Sequence, residues 1–383
     1  MRPLLELIAE IEREPARARP LLTQFTHRES FPMVEGDTAT FFYWDGRPTD
    51  KVFLKHWVFG LSSTIEFQRI PHTDAFYLFL DLPKGARVEY KLEVVRDGRG
   101  TWMQDPRNPR RAYDPFGSNS VCPAGSYVDP EWVAFDPAAR QGRLETGTVH
   151  STVFGEARTY KMYIPAEARA GKRYPLLVVH DGDDFLHFAT MKTVLDNLIH
   201  RHEVAPIHVC FTSGVLRNAE YAANPTHADY VRNELVPALE ERYSLLSGPA
   251  NRGLMGASFG AVASLYTKVR HPGVFGRLML LSGSFAFTDI GDHQRGPAWD
   301  PVVSFVNGFR GSARHLHAQV FMSCGTFESL IYYNRSLVPL LAKRCDGLRF
   351  TEAPDGHNWI NWRDRLREGL TYLFPGPLWM YYE

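Results

Sequence analysis

The chain has 383 residues, which exceeds one typical domain and predicts two. Its 43 lysines and arginines balance 43 aspartates and glutamates, which argues against a nucleic-acid-binding protein, for which a basic excess is typical. Apolar residues make up 44% of the sequence, but no run approaches the roughly 18 uncharged residues that a membrane span requires. We therefore expect a partner that is neither nucleic acid nor membrane.

The first predicted element is an amphipathic surface helix within residues 1–28. Leu4, Leu5, Ile8 and Ile11 recur with helical spacing, and glutamates lie between them. A secretory signal peptide would instead carry a continuous apolar run.

Residues 36–130 form the first predicted domain. Four aromatic-rich segments between residues 36 and 95 alternate with period two and are separated by Gly, Pro and Asp turns. No helix-length pattern intervenes, so an antiparallel β-sandwich is predicted. The following segment, DPRNPRRAYDPFGSNSVCPAGSYVDP, is dense in Pro, Asn, Asp and Gly and predicts a linker or a long surface loop.

Residues 143–376 form the second predicted domain. A hairpin turning at Gly155-Glu156 precedes YPLLVVHDG, a short apolar run that suits a buried central strand. Strands then alternate with helices, which predicts a mostly parallel central sheet with helices on both faces. Chemistry in such sheets lies just beyond the carboxyl ends of the strands, and three of these ends carry Ser258, Glu328 and His357.

The strongest local signal is the pentapeptide Gly256-Ala257-Ser258-Phe259-Gly260. It follows a strand-like segment and precedes a helical one, which is the setting of the nucleophile in an α/β-hydrolase fold. Glycine on either side removes Cβ atoms that would clash in a sharp turn, and the Phe259 N–H could donate to an oxyanion. The alternative is an ordinary glycine-rich turn.

A serine nucleophile needs a base, and His357 is the best candidate among the 15 histidines. It lies in a loop between the last strand and the last helix, and the chain order of serine, acid and histidine agrees with this fold. Glu328, after the strand AQVFMSCG, is the predicted acid. Asp355 and Asp364 are rival acids, and Glu328 could alternatively be a helix N-terminal residue that the helix dipole favours.

The second oxyanion donor is expected in the loop after YPLLVVHDG, as the backbone N–H of Gly182 or Asp183. The aspartates at 181, 183 and 184 could instead hold a cation. Ester hydrolysis by a serine nucleophile needs no metal, so we expect neither a metal nor another cofactor.

The four cysteines, at positions 122, 210, 324 and 345, form no CxxC pair. Two lie in apolar, strand-like runs, which favours buried unpaired thiols. A reducing, cytoplasmic setting follows as an expectation.

The chain resembles the enterochelin esterase family, within the wider esterase D-like hydrolases. Between residues 170 and 370, the segments that carry the resemblance are PLLVVHDGDDF, RNAEYAAN, NELVPALEERY, GASFG, FGRLMLLSGS and DGHNWINWRDRL. Residues 36–130, with DP-x-NP-R and GSNSV, resemble the N-terminal domain of the family, which implies an immunoglobulin-like sandwich.

The resemblance implies hydrolysis of a cyclic trilactone such as iron-loaded enterobactin, with Ser258 as nucleophile, His357 as base and Glu328 as acid. It also implies that Arg217 and Glu220 lie beside the active site.

We further predict Phe327 and Trp359 as substrate-binding residues. Phe327 stands where the family tends to place an arginine, which weakens the case for a strongly anionic ferric siderophore. An acyl-carbohydrate, feruloyl or other aryl ester is the alternative substrate. An acyltransferase and a non-catalytic binding protein are alternatives of another class, and a homodimer is left open.

The aromatic side chains of Trp44, Trp57 and Phe59 could stack on a sugar or an arene. The alternative for these residues is a place in the core or at a domain interface.

Overall fold

The computed structural model describes residues 2–289 and 291–377. These residues form two compact units that are discontinuous in sequence. The first unit comprises the chain up to Asp129 together with two short loops, Gly325–Ser329 and Ala353–Asn358. The second unit comprises the remaining segments, Pro130–Cys324, Leu330–Glu352 and the chain from Trp359.

The first unit begins with two helices, α1 (Arg2–Arg13) and α2 (Ala18–Arg28), where the sequence predicts one. A 3₁₀ turn, Pro15–Arg17, separates them because proline cannot continue the α-helical hydrogen bonding. The apolar face of α1 is buried in a cluster that also contains Phe42 of the adjoining sheet. The predicted amphipathic character is therefore confirmed, but the single helix was wrong.

Two antiparallel sheets follow in the first unit. Their strands are β1 (Met33–Glu35), β2 (Thr38–Tyr43), β3 (Lys51–His56), β4 (Thr64–Glu66), β5 (Gln68–Arg69), β6 (Phe76–Asp81), β7 (Arg87–Arg96), β8 (Arg99–Met103), β9 (Arg111–Asp114) and β10 (Gly117–Pro123). One sheet has the order β1-β2-β6-β5, and the other has β4-β3-β7-β10-β9 with β8 beside β7. Alternate side chains of both sheets, among them Phe41, Leu54 and Leu92, share one core.

The proline-rich segment 105–130, predicted as a linker or surface loop, contains β9 and β10 instead. Polar side chains add buried hydrogen bonds to the strand pairing there. Asp105 accepts hydrogen bonds from the Tyr90 hydroxyl (2.7 Å) and the Arg107 N–H, and Asn108 donates to the Val121 carbonyl (2.8 Å). Asp105 and Asn108, whose residue types are common in turns, are therefore buried hydrogen-bonding partners of the sheet.

The second unit contains one mixed sheet of eight strands in the described part of the chain. These strands are β11 (Arg143–Ser151), β12 (Glu156–Ile164), β13 (Leu176–His180), β14 (His208–Thr212), β15 (Arg252–Ala257), β16 (Arg277–Leu281), β17 (Gln319–Gly325) and β18 (Gly347–Ala353). Their order is β11-β12-β14-β13-β15-β16-β17-β18. The hairpin β11–β12 is antiparallel, as is β12–β14, whereas the strands from β14 to β17 run parallel.

Helices cover both faces of this sheet. They are α3 (Gly182–His187), α4 (Met191–His200), α5 (Arg217–Tyr221), α6 (Pro225–Tyr230), α7 (Val236–Arg242), α8 (Phe259–Arg270), α9 (Asp300–Gly311), α10 (Ile331–Arg344) and α11 (Trp359–Leu373). Alternate residues of β13 point into two separate cores: Leu176 and Val178 face α6 to α10, and Leu177 and Val179 face α3, α4 and α11. The predicted hairpin, parallel strands and helices on both faces are confirmed.

All four cysteines lie in the described part of the chain, and all are buried and outside any disulfide bond, as predicted. Burial raises the pKa of the Cys122 thiol to about 12, and burial also raises the pKa of the Cys210 thiol. Within residues 2–289 and 291–377, no helix combines the length and the apolar character that crossing a membrane demands.

Candidate active site

Ser258 occupies the sharp turn between β15 and α8. Its φ of 56° and ψ of −120° lie in a region that side-chain-bearing residues rarely adopt. The Ser258 N–H donates to the Leu281 carbonyl (2.9 Å), and this bond ties the turn to the neighbouring strand β16. Backbone strain held by such surrounding bonds is typical of functional sites.

The two glycines of the pentapeptide make this turn sterically feasible. A Cβ atom on Gly256 would lie 2.3 Å from the backbone of Gly260, which is impossible without a shift of the chain. A Cβ atom on Gly260 would lie 3.2 Å from the Cβ of His180. Gly256 therefore allows strand β15 to approach helix α8, and Gly260 allows α8 to approach strand β13.

The Ser258 Oγ lies 3.1 Å from the Oγ of Ser284, which follows β16. The Ser284 N–H also donates to the Ser258 carbonyl (3.2 Å). Sequence reasoning did not single out Ser284, although its place after a strand end was a usable signal.

Phe259 is the first residue of α8, so its N–H has no acceptor within the helix. Its side chain is buried and packs edge-on against Trp299, with ring centroids 4.9 Å apart. A fixed donor at the positive end of a 12-residue helix suits a developing oxyanion.

The loop after β13 lies beside the Ser258 turn because β13 and β15 are parallel neighbours. Asp181 adopts φ 56°, and Gly182 and Asp183 then begin α3. A Cβ atom on Gly182 would lie 2.5 Å from the Cβ of Phe211, so this close approach requires glycine.

Arg217, predicted to bind substrate, is paired with this loop. Its guanidinium donates two hydrogen bonds of 2.6 Å to the two carboxylate oxygens of Asp181. The planar fork-to-carboxylate geometry holds the loop strongly. The Arg217 charge is thus compensated within the protein.

Glu220, also predicted to lie in the active site, is buried and bound to Arg158. Both of its carboxylate oxygens lie 3.1 Å from the Arg158 guanidinium, and it accepts a further bond from the Leu216 N–H. The Nδ1 atom of His227 lies 3.7 Å from a carboxylate oxygen of Glu220, and the Nε2 atom of His227 lies 3.0 Å from the Nε2 atom of His180. We therefore assign Glu220 a role in stabilising the fold, and its binding of substrate stays a prediction.

This buried pair predicts a pH-dependent loss of stability. Burial alone would raise the pKa of Glu220, but contacts with His227, the Leu216 N–H and Arg158 outweigh it and lower the pKa from 4.5 to about 2. The carboxylate therefore stabilises the fold fully above pH 4.5, and this contribution is lost as the pH falls towards 2. Glu220→Gln should cost about 3 kcal/mol at pH 7 in urea unfolding, and less than half of that at pH 3.

The matched control is Glu156→Gln. Glu156 also pairs with Arg158 (2.9 Å), but its side chain is 47% exposed, so a loss below about 1 kcal/mol is expected. Equal losses for the two variants at pH 7, or a loss for Glu220→Gln that does not shrink at pH 3, would contradict the assignment.

Glu328 and His357 are hydrogen-bonded to each other within the first unit. The His357 Nδ1 lies 2.7 Å from one carboxylate oxygen of Glu328, and the Gly325 N–H donates to the other (2.7 Å). Glu328 is buried, whereas the His357 side chain is 37% exposed. The carboxylate thereby favours the tautomer with Nδ1 protonated and leaves Nε2 as the basic atom.

The rival acids have other partners. Asp355 contacts Arg87, the Gly356 N–H (2.7 Å) and the Asn358 side chain (2.7 Å). Asp364 accepts a hydrogen bond of 2.8 Å from Arg363. The structure thus brings His357 to Glu328, as the sequence predicts.

The predicted substrate-binding aromatics differ in exposure. Trp359 is buried and packs against Phe185 with ring centroids 5.2 Å apart, which leaves little surface for a ligand. Phe327 is partly buried, and its carbonyl accepts a hydrogen bond from the Phe59 N–H (2.8 Å). Trp57 and Phe59 are about half exposed, at 54% and 45%.

Trp44, the third aromatic residue considered for stacking, is partly buried and packs against the cluster beneath α1. This place in the core matches the alternative that the sequence left open for it.

The aspartates after β13 are engaged with cations of the chain, Asp181 with Arg217 and Asp183 with Lys161 (2.6 Å). Among the described residues, the side chains close enough together to hold a metal ion are His315, His317 and Asp346, which are exposed and lie outside the predicted site.

Known proteins resemble the chain in sequence. The Iron(III) enterobactin esterase of Escherichia coli O6:H1 (strain CFT073) is 26% identical over 57% of this chain and 54% of its own length. The endo-1,4-beta-xylanase/feruloyl esterase of Xylanibacter ruminicola is 22% identical over 64% of this chain and 33% of its own length. The chain thus spans about half and one third of these two relatives.

Solved structures resemble the chain over almost its whole length. The enterobactin esterase of Shigella flexneri, crystallised in the presence of 2,3-di-hydroxy-N-benzoyl-glycine, superposes with a TM-score of 0.72. The match covers 91% of this chain and 97% of that protein at 19% identity. This likeness establishes an α/β-hydrolase-type fold with a mixed sheet and helices.

A family model described as "Putative esterase" matches residues 151–373. It supports a carboxylic-ester hydrolase. The match covers more than half of the sequence, and the chain belongs to this esterase family.

Proposed function

We propose that the chain is a serine esterase in which Ser258 is the nucleophile, His357 the general base and Glu328 the acid that orients it. The observation that carries the proposal is the strained backbone of Ser258 between β15 and α8. The 2.7 Å contact between His357 and Glu328 supports it, because a base needs a fixed tautomer to accept a proton at Nε2.

The proposed reaction has two halves. As the Ser258 Oγ attacks the ester carbonyl carbon, the His357 Nε2 takes the hydroxyl proton, and the oxyanion accepts hydrogen bonds from the Phe259 N–H and from Gly182 or Asp183. The bond to the alcohol oxygen then breaks, His357 returns the proton to that oxygen, and an acyl-enzyme remains. Water, deprotonated by His357, attacks the acyl carbon and releases the acid.

Replacing Glu328 by glutamine should lower kcat by about two to four orders of magnitude, because the neutral amide cannot stabilise the imidazolium. Asp355→Asn is the matched comparison, since Asp355 is a buried carboxylate in the loop that carries His357. It should cost about tenfold, an effect of positioning alone. Both variants are assayed on p-nitrophenyl butyrate. A larger loss for Asp355→Asn than for Glu328→Gln would make Asp355 the acid.

For the substrate we propose an ester with an aromatic acyl group, and first the trilactone of a catecholate siderophore. The support is the similarity to enterobactin esterases in sequence and in fold. The half-exposed side chains of Trp57 and Phe59 offer apolar surface next to Phe327, and aromatic surface of this kind suits a hydroxybenzoyl group.

A feruloyl or other aryl ester is the second candidate. The pairing of two arginines with carboxylates of the protein favours it. A ferric triscatecholate is strongly anionic, yet Arg87 and Arg217 are each paired with an aspartate of the protein. Phe327 stands next to the acid where an arginine would attract such an anion. A neutral aromatic ester needs no such cation.

A hydrolysis panel tests the proposal. It comprises ferric enterobactin, iron-free enterobactin, methyl ferulate, an acetylated sugar and p-nitrophenyl acetate, with kcat/KM measured for each. If the substrate is a siderophore, kcat/KM for the trilactones should exceed kcat/KM for methyl ferulate by at least tenfold. If it is an aryl ester, kcat/KM for methyl ferulate should be the higher by the same factor. Hydrolysis of none of them would contradict an esterase and leave a binding protein. Faster product formation on adding an acceptor alcohol would identify an acyltransferase.

We also propose that the two antiparallel sheets of the first unit form an immunoglobulin-like sandwich, supported by their shared core. A cytoplasmic location stays a prediction from the cysteine pattern of the sequence, and the homodimer stays open.

A further inference from the structure

Arg87 is a buried cation that reaches the loop carrying His357. It begins β7 and is 4% exposed, and its guanidinium lies 3.5 Å from both carboxylate oxygens of Asp355 and 3.2 Å from the Asn358 side-chain oxygen. Its backbone N–H also donates to the Pro354 carbonyl (3.2 Å). Arg87 therefore contacts residues on both sides of His357 within the first unit.

Asp355 connects Arg87 to the turn around His357. One of its carboxylate oxygens accepts hydrogen bonds of 2.7 Å from the Gly356 N–H and from the Asn358 side chain. Burial raises the pKa of Asp355 to about 6, against the lowering effect of Arg87. Without Arg87, the buried carboxylate of Asp355 would lose its main cation, and the turn around His357 would lose its contacts with strand β7.

The loop of Glu328 is tied to the same structure. The Phe327 N–H donates to the Asp355 carbonyl (3.1 Å), and the Phe327 carbonyl accepts the Phe59 N–H from the β3–β4 connection. The Thr326 N–H donates to the Ala353 carbonyl (2.7 Å). The loops of the acid and the base are thus joined to each other and to the sandwich strands.

We propose that Arg87 is a positioning residue for the general base. Through Asp355 and Asn358 it holds the loop 354–358 in the conformation in which His357 stays hydrogen-bonded to Glu328. The inference rests on the proposed function, and it makes the N-terminal sandwich a part of the catalytic apparatus.

The test measures kcat and KM of the full-length protein on p-nitrophenyl butyrate for Arg87→Met, Arg87→Lys, Asp355→Asn and the double variant Arg87→Met/Asp355→Asn. Arg87→Met should lower kcat by about 10- to 100-fold with KM changed less than about threefold, because misplacing a base affects the chemical step more than binding. Arg87→Lys should recover part of the loss. In the Asp355→Asn background, Arg87→Met should cost less than about threefold, because coupled residues are not additive.

The matched control is Arg96→Met. Arg96 lies on the same strand and pairs with Asp45 (2.6 Å) and Tyr43, so it should affect the melting temperature but not kcat. A melting temperature that falls in Arg87→Met while kcat stays at the wild-type value would reduce Arg87 to a structural ion pair and overturn the proposal. Equal losses in the wild-type and Asp355→Asn backgrounds would also overturn it.

Two results separate this inference from the proposed function. A wild-type protein that hydrolyses no ester contradicts the esterase itself. A wild-type esterase whose kcat is insensitive to Arg87 contradicts only the positioning role. Should Arg87→Met fail to fold, Arg87→Lys and Asp355→Asn carry the test, because both must lower kcat while KM changes little.

Discussion

Replacing Ser258 with alanine is expected to abolish ester hydrolysis and to leave the fold intact. Loss of the nucleophile in enzymes with such a triad lowers kcat by about four to six orders of magnitude. The substitution removes only the hydroxyl group, whose described contact is the 3.1 Å approach to Ser284. Alanine keeps the Cβ atom and therefore the strained backbone, so the melting temperature should change little.

Ser258→Gly provides a second reading of the same turn. Glycine adopts positive φ without the steric cost of about 1–3 kcal/mol that a side chain carries there. We expect this variant to be as inactive as Ser258→Ala but to melt about 2–4 °C higher. Opposite movements of activity and stability at one residue are the expected mark of a strained functional site.

The measurement combines rates with covalent labelling. Diethyl p-nitrophenyl phosphate should release one p-nitrophenolate per wild-type chain and leave a diethylphosphoryl group on the peptide that contains Ser258. Ser247→Ala is the control, because Ser247 is an exposed serine of the same unit and should leave both readouts unchanged. Retention of a tenth of the wild-type rate in Ser258→Ala, or a label on another peptide, would remove Ser258 as the nucleophile.

The residues proposed for the chemistry stand out in the sequence because their signals are local. Ser258 is marked by two glycines within two residues, and a single Cβ atom at Gly256 would collide with the backbone of Gly260. Glu328 and His357 follow strands, and the carboxyl ends of strands are where side chains meet in an α/β sheet. The hydrogen bond between them accords with that expectation.

The supporting residues were not predictable, because their partners are remote in sequence. Arg87 meets Asp355 across 268 positions, and no spacing rule connects a strand of one predicted domain with a loop of the other. The burial of Glu220 and Trp359 was not predictable either. Each lies close in sequence to a catalytic-looking motif, but Arg158 pairs with the first and the core covers the second.

The fold was predictable where periodicity is strong and less so where turn residues dominate. Short continuous apolar runs predicted the central strands, because a strand buried on both faces needs apolar side chains on both. The segment 105–130 misled because Pro, Asn and Asp are usually exposed, whereas here Asp105 and Asn108 satisfy buried backbone and hydroxyl groups. Composition alone does not distinguish a solvated turn from a segment whose polar side chains are buried and hydrogen-bonded.

Replacing His357 with alanine is the second change with a very large expected effect. Without a base, the Ser258 hydroxyl keeps its proton at neutral pH, so kcat should fall by about four to six orders of magnitude, as for the nucleophile itself. A general base must be unprotonated to accept the serine proton, so a wild-type activity that depends on an imidazole base should fall as the pH is lowered from 8 to 5. A kcat/KM that is flat across this range would contradict a histidine base.

Added imidazole separates a missing base from a damaged fold. The His357 side chain is 37% exposed, so a small base could reach the space that alanine leaves, and millimolar imidazole should restore part of the activity of His357→Ala. It should restore none to Ser258→Ala, because that variant lacks the attacking oxygen. His27→Ala is the control, since His27 is exposed on α2 and should leave the rate and its pH profile unchanged. Wild-type activity in His357→Ala without imidazole would show that another group takes the serine proton.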